Sequence, residues 1–221
     1  MDTIDAIKSR HATRGFLSTP VETPLIEKIL DAARYAPSGV NTQPWKVAVV
    51  RGQVQQQLSE QLIAAKEQNQ PANPDYAYYP DQWSEPYKSR RKSCGLALYS
   101  ALQIEKGDFG KQKQAWYNNY RFFNAPVGLL FFIDKQLNQG SWIDMGMFLQ
   151  NIMLAATDYG LATCPQASLA EYPDIVRGLL NISEDYAVVC GMALGYEDPD
   201  HPANSFRLER EPVDSFTTWF E

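Results

Sequence analysis

Apolar residues along this chain switch between helical and strand spacing, and each switch marks an element. Ile4 and Ile7 predict a short opening helix with Thr3 as its N-cap. Thr23-Pro24 reads as a cap followed by proline at the first helical position, with Leu25, Ile26, Ile29, Leu30 and Ala33 at helical spacing. Pro37 ends that helix, a loop rich in small polar residues runs to Pro44, and Trp45 to Val50 reads as a strand. A further helix is predicted over Gln53 to Gln68, with Val54, Leu58, Leu62 and Ala65 facing inward.

Residues 70–86 break both periods. Pro71, Pro74, Pro80 and Pro86 alternate with Tyr76, Tyr78, Tyr79 and Trp83, too aromatic a mixture for a disordered linker, so an ordered excursion or lid is expected. Helices are predicted around 88–104 and 109–122, and a second, buried strand over Val127 to Asp134. Ser141 to Tyr159 is a helix apolar nearly all round, which belongs in a core or a large interface. Ala187 to Leu194 is a third strand, and the charged tail ends in aromatics. No repeat or convincing break divides the 221 residues, so one domain over 1–221 is expected, with 70–124 as its variable part. Strands alternating with helices, too few for a doubly wound sheet, favour an α+β layer fold.

Composition narrows the function. A net charge of −6 argues against nucleic acid or an anionic membrane as the main partner. The longest apolar stretch, Ala125 to Ile133, is half of what a spanning helix requires. Cys94, Cys164 and Cys190 are odd in number and, with His11 and His201, show no zinc spacing, so no metal is expected. Unpaired cysteines with no visible signal peptide point to the cytoplasm. GxGxxG, GxxxxGK[ST] and GxSxG motifs are absent, which removes the usual support for Rossmann, P-loop and α/β-hydrolase chemistry.

Three polar clusters remain. Arg10, His11 and Arg14 set two guanidiniums around an imidazole, a pattern suited to phosphate oxygens or simply a solvated charge run. Ala36-Pro37-Ser38-Gly39-Val40-Asn41-Thr42-Gln43-Pro44-Trp45 is a stiff loop of small donors and amides. Arg207 and Arg210 form a second basic pair or a charged tail.

In order along the chain, these clusters resemble the nitroreductase family of FMN-dependent oxidoreductases. Arg10, His11, Arg14 and Phe16 are similar to its N-terminal flavin-phosphate segment, and residues 36–45 to its A-P-S-x-x-N-x-Q-P-W signature. Asp144-Met145-Gly146 through Cys164 resembles its central helix and following loop, while Gly191 to Gly195, Arg207 and Arg210 resemble its last strand and terminal basic pair.

The resemblance implies a three-layer sandwich with a small, mostly antiparallel sheet, in a homodimer whose tails embrace the partner and whose interface holds two FMN. Arg10, His11, Arg14 and Arg210, with Arg207, would hold the ribityl phosphate or the flavin's polar edge. Pro37, Ser38, Gly39 and Asn41 would come from the other subunit, with Gln43 supporting their loop, and Pro165, Gln166 and Ala167 would face flavin N5. Ala12 stands where many members have Ser, and Gln166 where some have an acid. The implied reaction is ping-pong: NADH or NADPH gives a hydride to FMN, which then reduces a small planar acceptor, a nitroaromatic or quinone. Alternatives are the same fold in reductive dehalogenation or flavin breakdown, a flavin carrier without turnover, and a structural dimer module.

Overall fold

A computed structural model describes residues 1–221. Its helices are α1 (Thr3–Ser9), α2 (Thr23–Ala33), α3 (Gly52–Glu67), α4 (Tyr87–Ala101), α5 (Phe109–Tyr117), α6 (Gln139–Asp158) and α7 (Pro173–Leu180). Its strands are β1 (Lys46–Val50), β2 (Val127–Asp134), β3 (Ala162–Gln166) and β4 (Tyr186–Gly195). They make one sheet in the order β1-β2-β4-β3, with each neighbouring pair antiparallel.

The central strands β2 and β4 bury side chains on both faces. Val127, Leu129, Phe131 and Ile133 pack with α2 and α6, whose Ile26, Ile29, Phe148 and Ile152 share the same core. Leu130 and Phe132 point the other way, into a second core with Leu58 and Leu62 of α3, Val176 of α7, Tyr120 and Phe122. Alternation along a strand thus produces helix, sheet and helix layers, the expected α+β sandwich. The register shifts between Phe131 and Phe132, which face Cys190 and Val188 in turn, so Val189 has no partner on β2. No helix of the structure is long and apolar enough to cross a membrane.

Several boundaries move from their expected places. Asp2, not Thr3, caps α1, its carboxylate accepting from the Ile4 amide at 2.8 Å. Glu22 precedes α2 without a side-chain cap, and Thr23 is already helical. Val54 is exposed; Gln55 turns inward instead, donating from Nε2 to the Ala125 carbonyl at 2.8 Å. That buried bond compensates an amide placed against apolar neighbours. The strand β3 and the helix α7 have no counterpart in the sequence reading. β3 carries Thr163, Pro165 and Gln166, a composition that does not read as a strand, and Pro165 is tolerated because β3 is an edge.

Close packing fixes Gly191 as a glycine. A Cβ on Gly191, opposite Gln166 in the β3–β4 register, would lie 2.1 Å from Leu169 Cδ1 and 3.0 Å from Leu169 Cβ. Gly191→Ala should therefore cost about 1–3 kcal/mol through overpacking, at roughly 2–4 °C in Tm per kcal/mol. Gly178→Ala, at an exposed site on α7 with open space around it, should leave Tm level or raise it. Thermal unfolding of both variants checks the pair of outcomes, and a neutral Gly191→Ala would contradict the packing.

Candidate functional site

The site begins where the chain's two ends meet. Arg10 closes α1, donating its amide to the Ala6 carbonyl at 3.1 Å. The chain then runs beside β3, with the Thr13 amide donating to the Thr163 carbonyl at 3.1 Å. The Arg14 amide donates to Asn204 Oδ1 at 2.7 Å, and Asn204 Nδ2 donates to the carbonyls of Gly15 and Asp198, both at 2.9 Å. Buried Asn204 thereby staples the tail to the N-terminal segment. Gly15 permits the approach: a Cβ there would lie 2.1 Å from Cγ of the His201 ring. Sequence reasoning missed the role of Asn204, whose one visible signal is that it opens the segment leading to the tail's Arg pair.

The staple builds a cleft of about 860 Å³ lined by Lys8, Arg10, Arg14, Arg207 and Arg210, with Gln150 of α6, and no Asp or Glu. None of these five cations is in an ion pair, although the chain as a whole carries −6. Burial and then the neighbouring positive charge of Arg210 hold the Arg10 guanidinium below its ordinary range. Arg207 and Arg210 spend only part of their donor capacity, on carbonyls of the tail itself. Such an array recognises a multiply charged oxyanion. His11 also lines the cleft, but its ring is already engaged, Nε2 lying 3.0 Å from Glu197 Oε1 and Nδ1 3.2 Å from the Ser9 carbonyl.

Arg14 also lines a second cleft, of about 470 Å³. One wall is the end of β3 and the turn after it, where Pro165, Gln166, Ala167 and Ser168 follow one another. The opposite wall is aromatic, formed by Tyr76, Tyr78 and Tyr79 of the 70–86 excursion together with Trp116. Gln166 is buried and donates from Nε2 to the Asn119 carbonyl at 2.5 Å, while its Oε1 and the Ser168 hydroxyl have no partner. Burial pushes the Cys164 thiol up to about 11, with Arg14 and Arg10 only partly opposing it, so it is a neutral lining group and no nucleophile. Trp116 and Asn119 come from the α5 segment, whose part in the site carries no sequence motif.

The loop with Pro37, Ser38, Gly39, Asn41 and Gln43 lines neither cleft. It is nonetheless built firmly. The Gly39 amide donates to Asp144 Oδ2 on α6 at 3.2 Å, and the Gln43 amide to Ser38 Oγ at 3.0 Å. Val40, Asn41 and Gln43 all have positive φ, and Val40 is 97% exposed. A β-branched residue held left-handed and open to solvent is a costly conformation. Within one chain, then, the two basic clusters and the 165–167 segment come together, and the 37–43 loop stands apart from them.

Known proteins similar to this chain in sequence and shape include reductases of nitro compounds. The 4-nitrobenzoate reductase of Pseudomonas putida is 42% identical over 217 residues, covering 98% of this chain and 95% of its own. The nitrobenzene nitroreductase of Ectopseudomonas oleovorans is 38% identical over 216 residues, covering 97% and 95%. The crystal structure of the FMN and NADPH-dependent nitroreductase NfnB from Sphigopyxis sp. strain HMH superposes with a TM-score of 0.97 at 34% identity, over 100% of both chains. The sequence profile of the nitroreductase family matches residues 7–196, and on these grounds the chain belongs to the nitroreductase family.

Proposed function

We propose that this chain is an FMN-dependent oxidoreductase that uses NADH or NADPH to reduce small nitroaromatic compounds, and that it works as a homodimer. The observation that carries the reading is the acid-free cationic cleft joined, at Arg14, to an aromatic-walled cleft. The first fits a phosphate monoester and the second a planar ring system. FMN, when bound, supplies the two-electron hydride chemistry, taking electrons from the nicotinamide and passing them to the acceptor. Arg10, Arg14, Arg207 and Arg210 hold its phosphate, and His11, paired with Glu197, orients the Arg10 segment through Ser9. Pro165, Gln166, Ala167 and Ser168 shape the edge of the ring cleft. The relatives' substrates, 4-nitrobenzoate and nitrobenzene, are of the planar size such a cleft accepts.

Surfaces that one chain leaves bare support the homodimer. α4 runs for 15 residues without one buried side chain, and helical stability ordinarily comes from packing. Ile143 on α6 is 67% exposed, Gly146 beside it has open space around its Cα, and the tail exposes Phe216, Trp219 and Phe220. Apolar area of this kind is normally covered by a partner. In the dimer, Pro37, Ser38, Gly39, Asn41 and Gln43 of one subunit complete the flavin site of the other, which accounts for a strained loop that meets neither cleft of its own chain.

Purified protein should be yellow, release FMN and not FAD on denaturation, and bleach with NADH or NADPH without oxygen. Colour should return on adding 4-nitrobenzoate, and a colourless protein that binds no FMN would refute the reading. Arg10→Ala or Arg210→Ala should weaken FMN by about ten- to a hundredfold, the value of a charge-assisted hydrogen bond of about 1.5–3 kcal/mol. Riboflavin, lacking the phosphate, should lose much less; equal losses for both would contradict a phosphate role. Light scattering should give twice 25.0 kDa, and Ile143→Asp should yield monomer with depleted flavin. A wild-type monomer that retains FMN would exclude the shared site.

A further inference from the structure

The aromatic wall of the second cleft is held in place from a distance. Asp75 Oδ2 lies 2.6 Å from Arg177 Nη1 on α7 and accepts from the Val188 amide of β4 at 2.9 Å, while Asp75 Oδ1 lies 3.2 Å from Lys135 Nζ. Arg177 reaches Asp174 Oδ1 at 2.7 Å and donates to the Tyr186 carbonyl at 3.1 Å. Both partners of the central pair are buried, at 8% and 7% side-chain exposure. Next along the chain, the Tyr76 hydroxyl donates to the carbonyl of Val189, the residue left unpaired by the β2–β4 bulge, at 2.5 Å. The Tyr76 ring packs on Trp142 of α6, with centroids 4.5 Å apart. These bonds fall on the stretch of β4 that β3 does not reach, since β3 pairs only with Gly191 to Gly195. The root of the excursion therefore replaces a missing strand neighbour. Beyond it, Tyr78 and Tyr79 stack edge to face at 4.6 Å and are more than half exposed.

We propose that the Asp75–Arg177 pair, with the Tyr76–Val189 bond, is a positioning device that sets the aromatic wall against Pro165–Ser168 and so governs discrimination among acceptors, although neither Asp75 nor Arg177 lines the cleft. This rests on the nitroreductase reading of that cleft. The physical ground is the sharp boundary at Tyr76. Residues up to it are tied by a buried ion pair and by further bonds, from the Tyr172 hydroxyl to the Gln70 carbonyl and from the Asn73 amide to the Glu171 carbonyl. Residues just after it carry the rings that face the acceptor. Releasing the root lets those rings shift without touching the cationic cleft.

The test uses the FMN-loaded enzyme with Asp75→Asn and with the double variant Asp75→Asn/Arg177→Met. The single variant leaves a buried guanidinium short of its partner, and the double removes that charge and recovers stability. Both should keep wild-type FMN content and the wild-type rate of anaerobic reduction by NADH or NADPH. In both, relative kcat/KM across a panel of substituted nitroaromatics and quinones should change by about tenfold, mainly through KM. Hydrogen exchange over 77–83 should quicken in both while α2 and α6 stay protected, a readout that needs no turnover. Selectivity that returns with stability in the double variant would overturn the proposal, as would unchanged exchange over 77–83. If the wild type fails to reduce nitroaromatics, the functional reading falls, while the exchange result still judges the positioning device.

Discussion

β2 and β4 lie side by side in the middle of the sheet, with almost every side chain buried on both faces. Two strands in that position require a helical layer on each face, because a sheet apolar on both sides cannot be left to water. α2 and α6 meet this need on one face, and α3, α7 and the 117–123 aromatics on the other. The flanking strands are short, five residues each, so β4 extends beyond β3 and leaves main-chain groups to be paired. The 75–76 segment meets that demand. The second cleft sits at the end of β3, where the sheet stops, and the N-terminal segment that carries Arg10 and Arg14 into the cationic cleft runs beside the same edge strand.

Charge in this molecule is arranged against its average. An acidic chain gathers Lys8, Arg10, Arg14, Arg207 and Arg210 around one cavity and supplies no carboxylate to it. Like charges crowded in a partly buried place raise the free energy of the ligand-free state. An anionic ligand relieves that strain, and anything that binds the folded chain alone stabilises it by mass action. The Asn204 staple makes this possible, because it spends two main-chain contacts on forcing basic segments from opposite ends of the chain together.

The left-handed Val40 loop expresses the same logic in the backbone. Strain of this kind persists where the surroundings over-determine it, and here Asp144 on α6 and the Ser38 hydroxyl supply the fixing bonds. α6 thus serves the sheet core through Phe148 and Ile152, supports the loop through Asp144, and presents Ile143 outward. A helix used on three sides has little room for polar residues, which is why its sequence is apolar nearly all round.

The sequence by itself determined the elements whose burial is local and periodic. Val127 to Ile133 is an unbroken apolar run, Leu25 to Ala33 keeps helical spacing, and both elements are found almost residue for residue. The order of motifs along the chain likewise identified the family, since several specific blocks in the right sequence seldom coincide. The edge strand β3 was hidden because its residues are chosen for the cleft it borders. α7 has no side-chain cap to mark its start, although Pro173 and the spacing of Ile175, Val176, Leu179 and Leu180 are helical signals. Only the tertiary structure decided what pairs across long separations: Arg14 with Asn204, 190 residues on, and Asp75 with Arg177, 102 residues on. Such bonds depend on where folded elements place two side chains, and no periodicity or local composition records that distance.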